Sequence, residues 1–151
     1  MTGTIELKTA TAEHYAFALG LYLLTMRPYT AELMVWDEQK QIASFAQRWK
    51  REDVRIIVLD GRDAGWMQAM ETPSEIVLQQ LFVVPERQGA GLGTRVLKDL
   101  LSRWEPTGKP IVLTVLKNNP ARHLYERLGF SVVGEVGVKF EMRRVHGLPM
   151  L

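Results

Sequence analysis

The stretch Leu81-Phe82-Val83-Val84-Pro85-Glu86-Arg87-Gln88-Gly89-Ala90-Gly91-Leu92-Gly93-Thr94 reads as the end of a strand, a glycine-rich turn and the start of a helix. Glycine at alternate positions lets successive backbone N–H groups point into one concavity without Cβ obstruction, and the helix beginning there adds the positive end of its dipole. Such a turn is suited to phosphate. Its spacing argues against two common phosphate motifs. No Lys-Ser or Lys-Thr follows the glycines, which disfavours a Walker-type ATP site. The dinucleotide pattern would start at Gly89 and Gly91 but meets Thr94 where its third glycine belongs, and no acid stands about 20 positions on to hold a ribose. On these residues alone, a tight turn with no ligand remains the plainer alternative.

Outward from this turn, Leu92, Val96, Leu97, Leu100, Leu101 and Trp104 recur at helical spacing. Gly108-Lys109-Pro110 leads to Ile111-Val112-Leu113-Thr114-Val115-Leu116, an apolar run of the kind buried on both faces, so it is expected to lie parallel to the strand before the turn. Asn119-Pro120 then offers an N-cap with proline at the first helical position. Ala121, Leu124, Tyr125 and Leu128 supply a stripe that Gly129 closes. Ser131 to Val136 and Val138 to Arg144 read as two final strands, and the tail from His146 as extended.

Upstream, Glu75 to Val84 is the longest strand candidate and stops at Pro85, which cannot donate to a ladder. Val54 to Leu59 and Gly65 to Glu71 precede it, joined by turn signals at Asp60–Asp63 and Thr72-Pro73-Ser74, as in an antiparallel meander. Ile5, Leu7 and Ala10 open the chain as an edge strand, with Thr11 as a helix N-cap. Apolar spacing from Phe17 through Leu24 is helical, and Arg27-Pro28 is expected to end that helix, leaving Tyr29, Glu32 and Trp36 in a loop. Asp37 caps a second helix with Ile42, Phe45, Ala46 and Trp49 on one face.

The chain has 151 residues, 46% hydrophobic and 24% charged, which fits one globular domain over 1–151. It contains no cysteine, which removes thiol nucleophiles, thiolate metal sites and disulfides together. The net charge is only +2, and a nucleic-acid binder would normally show a denser basic stripe, so no nucleic-acid partner is expected. No apolar run approaches the ~18 residues of a spanning helix and no basic leader opens the chain, so no membrane partner and a cytoplasmic location are expected. No pair of histidines or acids has metal-ligand spacing. His14 and His146 are isolated, and His123 reads as a surface residue.

Gln88-Gly89-Ala90-Gly91-Leu92-Gly93 matches Q/R-x-x-G-x-G/A, and Leu81-x-Val83-x-Pro85 precedes it. A second block, Asn118-Asn119-Pro120-Ala121-Arg122-His123-Leu124-Tyr125-Glu126-Arg127-Leu128-Gly129-Phe130, ends in Leu-Tyr-Glu-x-Leu-Gly-Phe. Both resemble the GNAT N-acetyltransferase superfamily, in its acyl-CoA-binding motif and the helix that follows it. The order of elements agrees over most of the chain, least from Ala12 to Trp49. The resemblance implies an α+β fold, a mixed and mostly antiparallel twisted sheet of about seven strands with four helices and a central parallel pair splayed for acyl-CoA.

The resemblance also implies roles. Backbone amides of the turn, through Arg87, Gln88, Gly89, Ala90, Gly91, Leu92, Gly93 and Thr94, would hold the CoA pyrophosphate. The main chain of Phe82, Val83 and Val84 would pair with the pantetheine arm like an added strand. Asn118 or Asn119 would contact the same arm, Asn119 having a competing place as N-cap. Tyr125, also in contact with the cofactor, would protonate the departing thiolate. With a thiol at about 8.5 and a phenol at about 10, that transfer is uphill by about 2 kcal/mol, so the phenol needs a lowered pKa or acts as a hydrogen-bond donor. Filling the helix's core face is the structural alternative for Tyr125. Some members carry a glutamate in the strand before the turn, whereas here Val77-Leu78-Gln79-Gln80 has none. Gln79 could position a water, and Glu71 and Glu75 flank a turn and read as solvated. A backbone N–H at the end of the long strand would stabilise the oxyanion.

For the acceptor, Tyr29, Glu32 and Trp36 form a constellation suited to a cationic amine, with the alternative that the aromatics staple the second helix to the core. The expected activity is direct acetyl transfer from acetyl-CoA to a primary amine, a small molecule rather than a protein. The rival is a CoA-binding sensor or interaction module without catalysis. A nucleotide-binding protein of another fold is weaker. Homodimerisation is left open.

Overall fold

The computed structural model describes residues 3–89 and 91–145. The strands are β1 (Ile5–Thr9), β2 (Val54–Leu59), β3 (Arg62–Glu71), β4 (Ile76–Val83), β5 (Ile111–Leu116), β6 (Ser131–Val136) and β7 (Lys139–Arg144). The helices are α1 (His14–Leu33), α2 (Glu38–Arg48), α3 (Leu92–Trp104) and α4 (Ala121–Arg127). The strands follow the order β1-β2-β3-β4-β5-β7-β6 in a seven-stranded sheet. This is the α+β, mixed-sheet architecture expected from the sequence, and its parallel pair is β4 with β5, through Ile76↔Ile111 and Val77↔Val112.

The chain packs as two compact units, Met1–Gln68 with Gln80–Gly93, and Ala69–Gln79 with Thr94–Leu151. The divisions fall inside β3, β4 and α3.

In the first unit, β1 pairs with β2 and β2 with β3, both antiparallel. β-branched Val54, Ile56 and Val58 are buried with Trp66, Phe82, Phe45, Ala18, Leu21 and Tyr22 in one cluster. Its rings meet mostly edge to face: Trp66 contacts Phe45 at 5.7 Å, Trp49 at 5.5 Å and Phe82 at 5.3 Å between centroids. Such contacts contribute about 0.5–1.5 kcal/mol each beyond area burial, which fixes α2 against the sheet. Asp37 caps α2 by accepting the Lys40 N–H at 3.2 Å, as its side chain type predicts. Ala46 lies on the exposed side of that helix, one step off the buried line through Phe45 and Trp49.

Two sequence expectations fail in α1. The helix does not end at Arg27-Pro28 but runs through Pro28 to Leu33, so Tyr29 and Glu32 are helical and only Trp36 lies in the connection. A proline ring fits helical φ and forfeits one N–H bond. Here the segments on either side are anchored by buried Tyr22 and Thr30, and the Met34 N–H closes the last turn on the Thr30 carbonyl at 2.9 Å. Thr11 also does not cap with its hydroxyl. Its N–H donates instead to Nδ1 of His14 at 2.9 Å, and His14 Nε2 stands 3.6 Å from Asp63 Oδ2, so His14 is engaged rather than isolated. β3 begins at Arg62, earlier than the expected Gly65, because the Asp60-Gly61 turn is tight: both residues have positive φ, 51° and 79°.

In the second unit, β5 pairs antiparallel with β7, and β7 with β6. Val96, Leu97, Leu100 and Leu101 of α3 are buried, each contributing about 1.5–3 kcal/mol. Arg144 is 2% exposed and donates through Nε to the Leu128 carbonyl at 2.8 Å, which satisfies a group that the end of α4 would otherwise leave open. Glu71 pairs with Lys109, whose Nζ also donates to the Thr72 carbonyl at 2.8 Å. Among the described residues, no helix is long and apolar enough to cross a membrane.

Candidate acyl-donor and acceptor site

In the first unit β4 ends at Val83, and a 3-10 turn over Pro85–Arg87 follows. That turn is closed by the Arg87 N–H donating to Val84 and the Gln88 N–H to Pro85, at 2.9 and 3.2 Å. Gly89 and Gly91 have φ of +79° and +82°, a conformation side chains resist, and nothing lies within 4 Å of where their Cβ atoms would stand. α3 starts at Leu92, and Leu92 is fully buried. Gly91 thus stands immediately before the helix start at Leu92. Ala90 lies outside the described residues.

Phe82, Val83 and Val84 do not present equivalent main chains. The Phe82 carbonyl lies against Gly65 of β3. The Val84 N–H donates to the Ala64 carbonyl of β3 at 2.8 Å. A trans peptide turns its C=O opposite to its N–H, so the Val83 carbonyl projects from the edge away from β3. That carbonyl accepts a hydrogen bond from Gln88 Nε2 at 2.8 Å. The sequence placed Gln88 in the phosphate turn without indicating this bond, and a glycine within a strand pattern was the available sign that Gly65 approaches another backbone.

Tyr29 and Glu32 share the last turns of α1, and Trp36 follows in the connection to α2. The Trp36 indole N–H is buried without a hydrogen-bond acceptor.

In the second unit Gln79 is exposed on β4, and His123 is exposed on α4 as read from the sequence. Asn119 Oδ1 accepts the Ala121 N–H at 2.9 Å, so Asn119 performs the capping role. Asn118 precedes it after β5. Tyr125 is half-buried on α4 with its ring edge-on to Phe130 at 5.7 Å. Desolvation by burial pushes its phenol from 10.0 up to about 12. The lowered pKa considered from the sequence is therefore not what this environment provides. Among the described residues no group of three histidines and acids could hold a metal ion.

A family model described as an acetyltransferase (GNAT) domain matches residues 25–150. The L-amino acid N-acyltransferase MnaT of Escherichia coli strain K12 is 26% identical over 112 residues, 71% of this chain; the match spans 64% of that relative's length. The PaiA N-acetyltransferase of Thermoplasma acidophilum, solved in complex with coenzyme A, is similar in fold at a TM-score of 0.75, covering 95% of this chain and 99% of its own with 16% identity. The ribosomal-protein-S18-alanine N-acetyltransferase of Escherichia coli is similar at 0.61, covering 98% and 96% with 21% identity.

Proposed function

Because this chain belongs to the GNAT acetyltransferase family, we propose that it transfers an acetyl group from acetyl-CoA directly to the primary amine of a small acceptor. The amine nitrogen bonds to the thioester carbon, the C–S bond breaks, the amine gives up a proton, and the sulfur leaves as a CoA thiolate that takes up a proton from solvent. The observation that carries the donor assignment is the open glycine turn at Gly89 and Gly91 leading into α3. Backbone N–H groups there favour a diphosphate over a neutral ligand.

Tyr125, kept neutral by its raised pKa, donates a hydrogen bond to the departing sulfur. An alkylamine has a pKa of about 10.4 and must lose a proton before attack, and a water held by Gln79 relays that proton to solvent. Asn118 contacts the pantetheine arm, since the Asn119 oxygen is committed to the cap. Glu32 with Tyr29 attracts the cationic acceptor, and the buried Trp36 N–H offers a donor to an anionic group on the same molecule. That pairing suits a zwitterion, and the name of the Escherichia coli relative makes free L-amino acids the first acceptors to try.

The test is a thermal-shift comparison of acetyl-CoA, CoA, ATP and NAD, followed by thiol release from acetyl-CoA with a panel of L-amino acids, simple amines and peptides. At about 100 times its dissociation constant a ligand stabilises by roughly 2.7 kcal/mol, which is several degrees for a chain this size. Stabilisation by CoA compounds alone, with thiol release in the presence of amino acids, is expected. Stabilisation without turnover on any acceptor would favour the CoA-binding sensor, and stabilisation by ATP or NAD but not CoA would overturn the donor assignment.

A further inference from the structure

We propose that Gln88 is a positioning residue that holds the glycine turn in its binding conformation before any ligand arrives, by tying it back to the last residue of β4. This rests on the reading of the turn as the acyl-donor site, and it assigns the Gln88 side chain a role within the protein rather than on the ligand.

Gly89 and Gly91 adopt left-handed conformations with open space around them, so nothing in their own side chains holds those φ values. Glycine also loses more conformational freedom on ordering than any other residue. A turn that presents several N–H groups to one anion therefore needs an external restraint, or the ligand must do the ordering at the expense of affinity.

The Gln88 carboxamide supplies that restraint. Its Nε2 donates to the Val83 carbonyl at 2.8 Å, closing a loop over Val84 and the 3-10 turn Pro85–Arg87. The Val84 N–H fixes the other side of the same peptide to Ala64 of β3. One peptide unit, Val83–Val84, is thus held from both edges. The residue that enters the glycine turn is anchored to it. The bond also occupies the Val83 carbonyl on the strand edge away from β3, which an extended ligand arm would otherwise take as its acceptor.

The test compares wild type with Gln88→Met, which keeps side-chain length without a donor, and Gln88→Arg, which restores an N–H donor of another shape. Hydrogen exchange at the amides of Gly89, Gly91, Leu92 and Gly93 is measured without ligand, and steady-state kinetics with acetyl-CoA. One net hydrogen bond corresponds to about a five-fold change in an opening equilibrium. Gln88→Met is expected to raise exchange at those amides about five-fold and the acetyl-CoA KM by a similar factor, with kcat within about two-fold of wild type. Gln88→Arg is expected to recover most of both. Unchanged exchange in ligand-free Gln88→Met would overturn the proposal, and so would a KM rise with wild-type exchange, because a side chain acting only on the ligand gives that pattern. If wild type does not bind acetyl-CoA, the donor reading falls, and the ligand-free exchange still decides whether Gln88 holds the turn. Near-UV circular dichroism of each variant shows whether the rest of the fold is retained.

Discussion

Gly65 of β3 and the Phe82 carbonyl of β4 approach so closely that a Cβ on Gly65 would collide with that oxygen and stand 3.1 Å from the Val83 Cα. The obstacle is backbone, which cannot rotate away as a side chain can. Gly65 also belongs to the segment whose Ala64 carbonyl receives the Val84 N–H. The absence of a side chain at residue 65 is therefore what lets β3 hold the end of β4 immediately before the glycine turn.

Gly65→Ala is accordingly expected to destabilise by about 3 kcal/mol, the upper end for inserting a methyl group into packed structure, and to lower Tm by roughly 6–12 °C. Because the displaced atoms lead into the turn, the acetyl-CoA KM should rise as well. Thermal unfolding followed by circular dichroism, with kinetics below the transition, measures both. A variant with unchanged Tm would show that the approach is readily relaxed.

Asn118 and Asn119 are separable. Asn119 Oδ1 caps the Ala121 N–H. Removing such a cap costs about 1 kcal/mol. Asn119→Ala should lower Tm by roughly 2–4 °C, and Asn119→Asp, which keeps the acceptor, should not. Asn118→Ala should raise the acetyl-CoA KM more than Asn119→Ala does. The reverse pattern would exchange the two roles.

Most of this architecture was legible because it rests on local patterns. The α3 stripe, the Asp37 cap, the strand from Ile111 and the Asn119-Pro120 helix start each depend on residues within one or two turns of one another. What was illegible depends on residues distant in sequence. Pro28 normally stops a helix, and only burial of Tyr22 and Thr30 on both sides of it carries α1 to Leu33. His14 looked isolated because Asp63 lies far along the chain, beyond α2 and β2, yet the structure brings its ring to 3.6 Å. The glycine turn itself was readable from spacing. The bond that ties it to Val83 was not, because Gln88 could equally have faced a ligand. The raised pKa of Tyr125 is likewise a property of burial, which residue order does not encode.

Glu32 and Trp36 should act on the acceptor and not on the donor. Glu32 is exposed, so its attraction for an ammonium group is screened and worth at most about 1 kcal/mol. Glu32→Gln should raise the KM of amino-acid acceptors about three- to five-fold and leave the acetyl-CoA KM unchanged. Trp36→Phe should penalise amino acids more than the matching amines that lack a carboxylate. Equal effects on both acceptor types would remove the indole N–H from acceptor recognition.

Tyr125 supplies a prediction with two independent readouts. With its phenol at about 12 and a thiol at about 8.5, moving the proton fully to a CoA thiolate is uphill by about 5 kcal/mol, so the residue acts by donating a hydrogen bond. A bond to a charged acceptor contributes about 1.5–3 kcal/mol, and Tyr125→Phe should therefore lower kcat about 10- to 100-fold with little change in the acetyl-CoA KM. The same raised pKa means that the folded state favours the protonated phenol. Its stabilising contribution is complete below pH 10, the unfolded value, and is lost as pH rises from 10.0 through about 12, by up to about 3 kcal/mol. Urea unfolding at pH 9 and pH 11.5 should thus show a steeper alkaline loss in wild type than in Tyr125→Phe. The kcat profile should carry no basic limb from this residue below pH 10. A limb between pH 8 and 9 that disappears in Tyr125→Phe would show that the phenol ionises in the working enzyme and acts as a full proton donor.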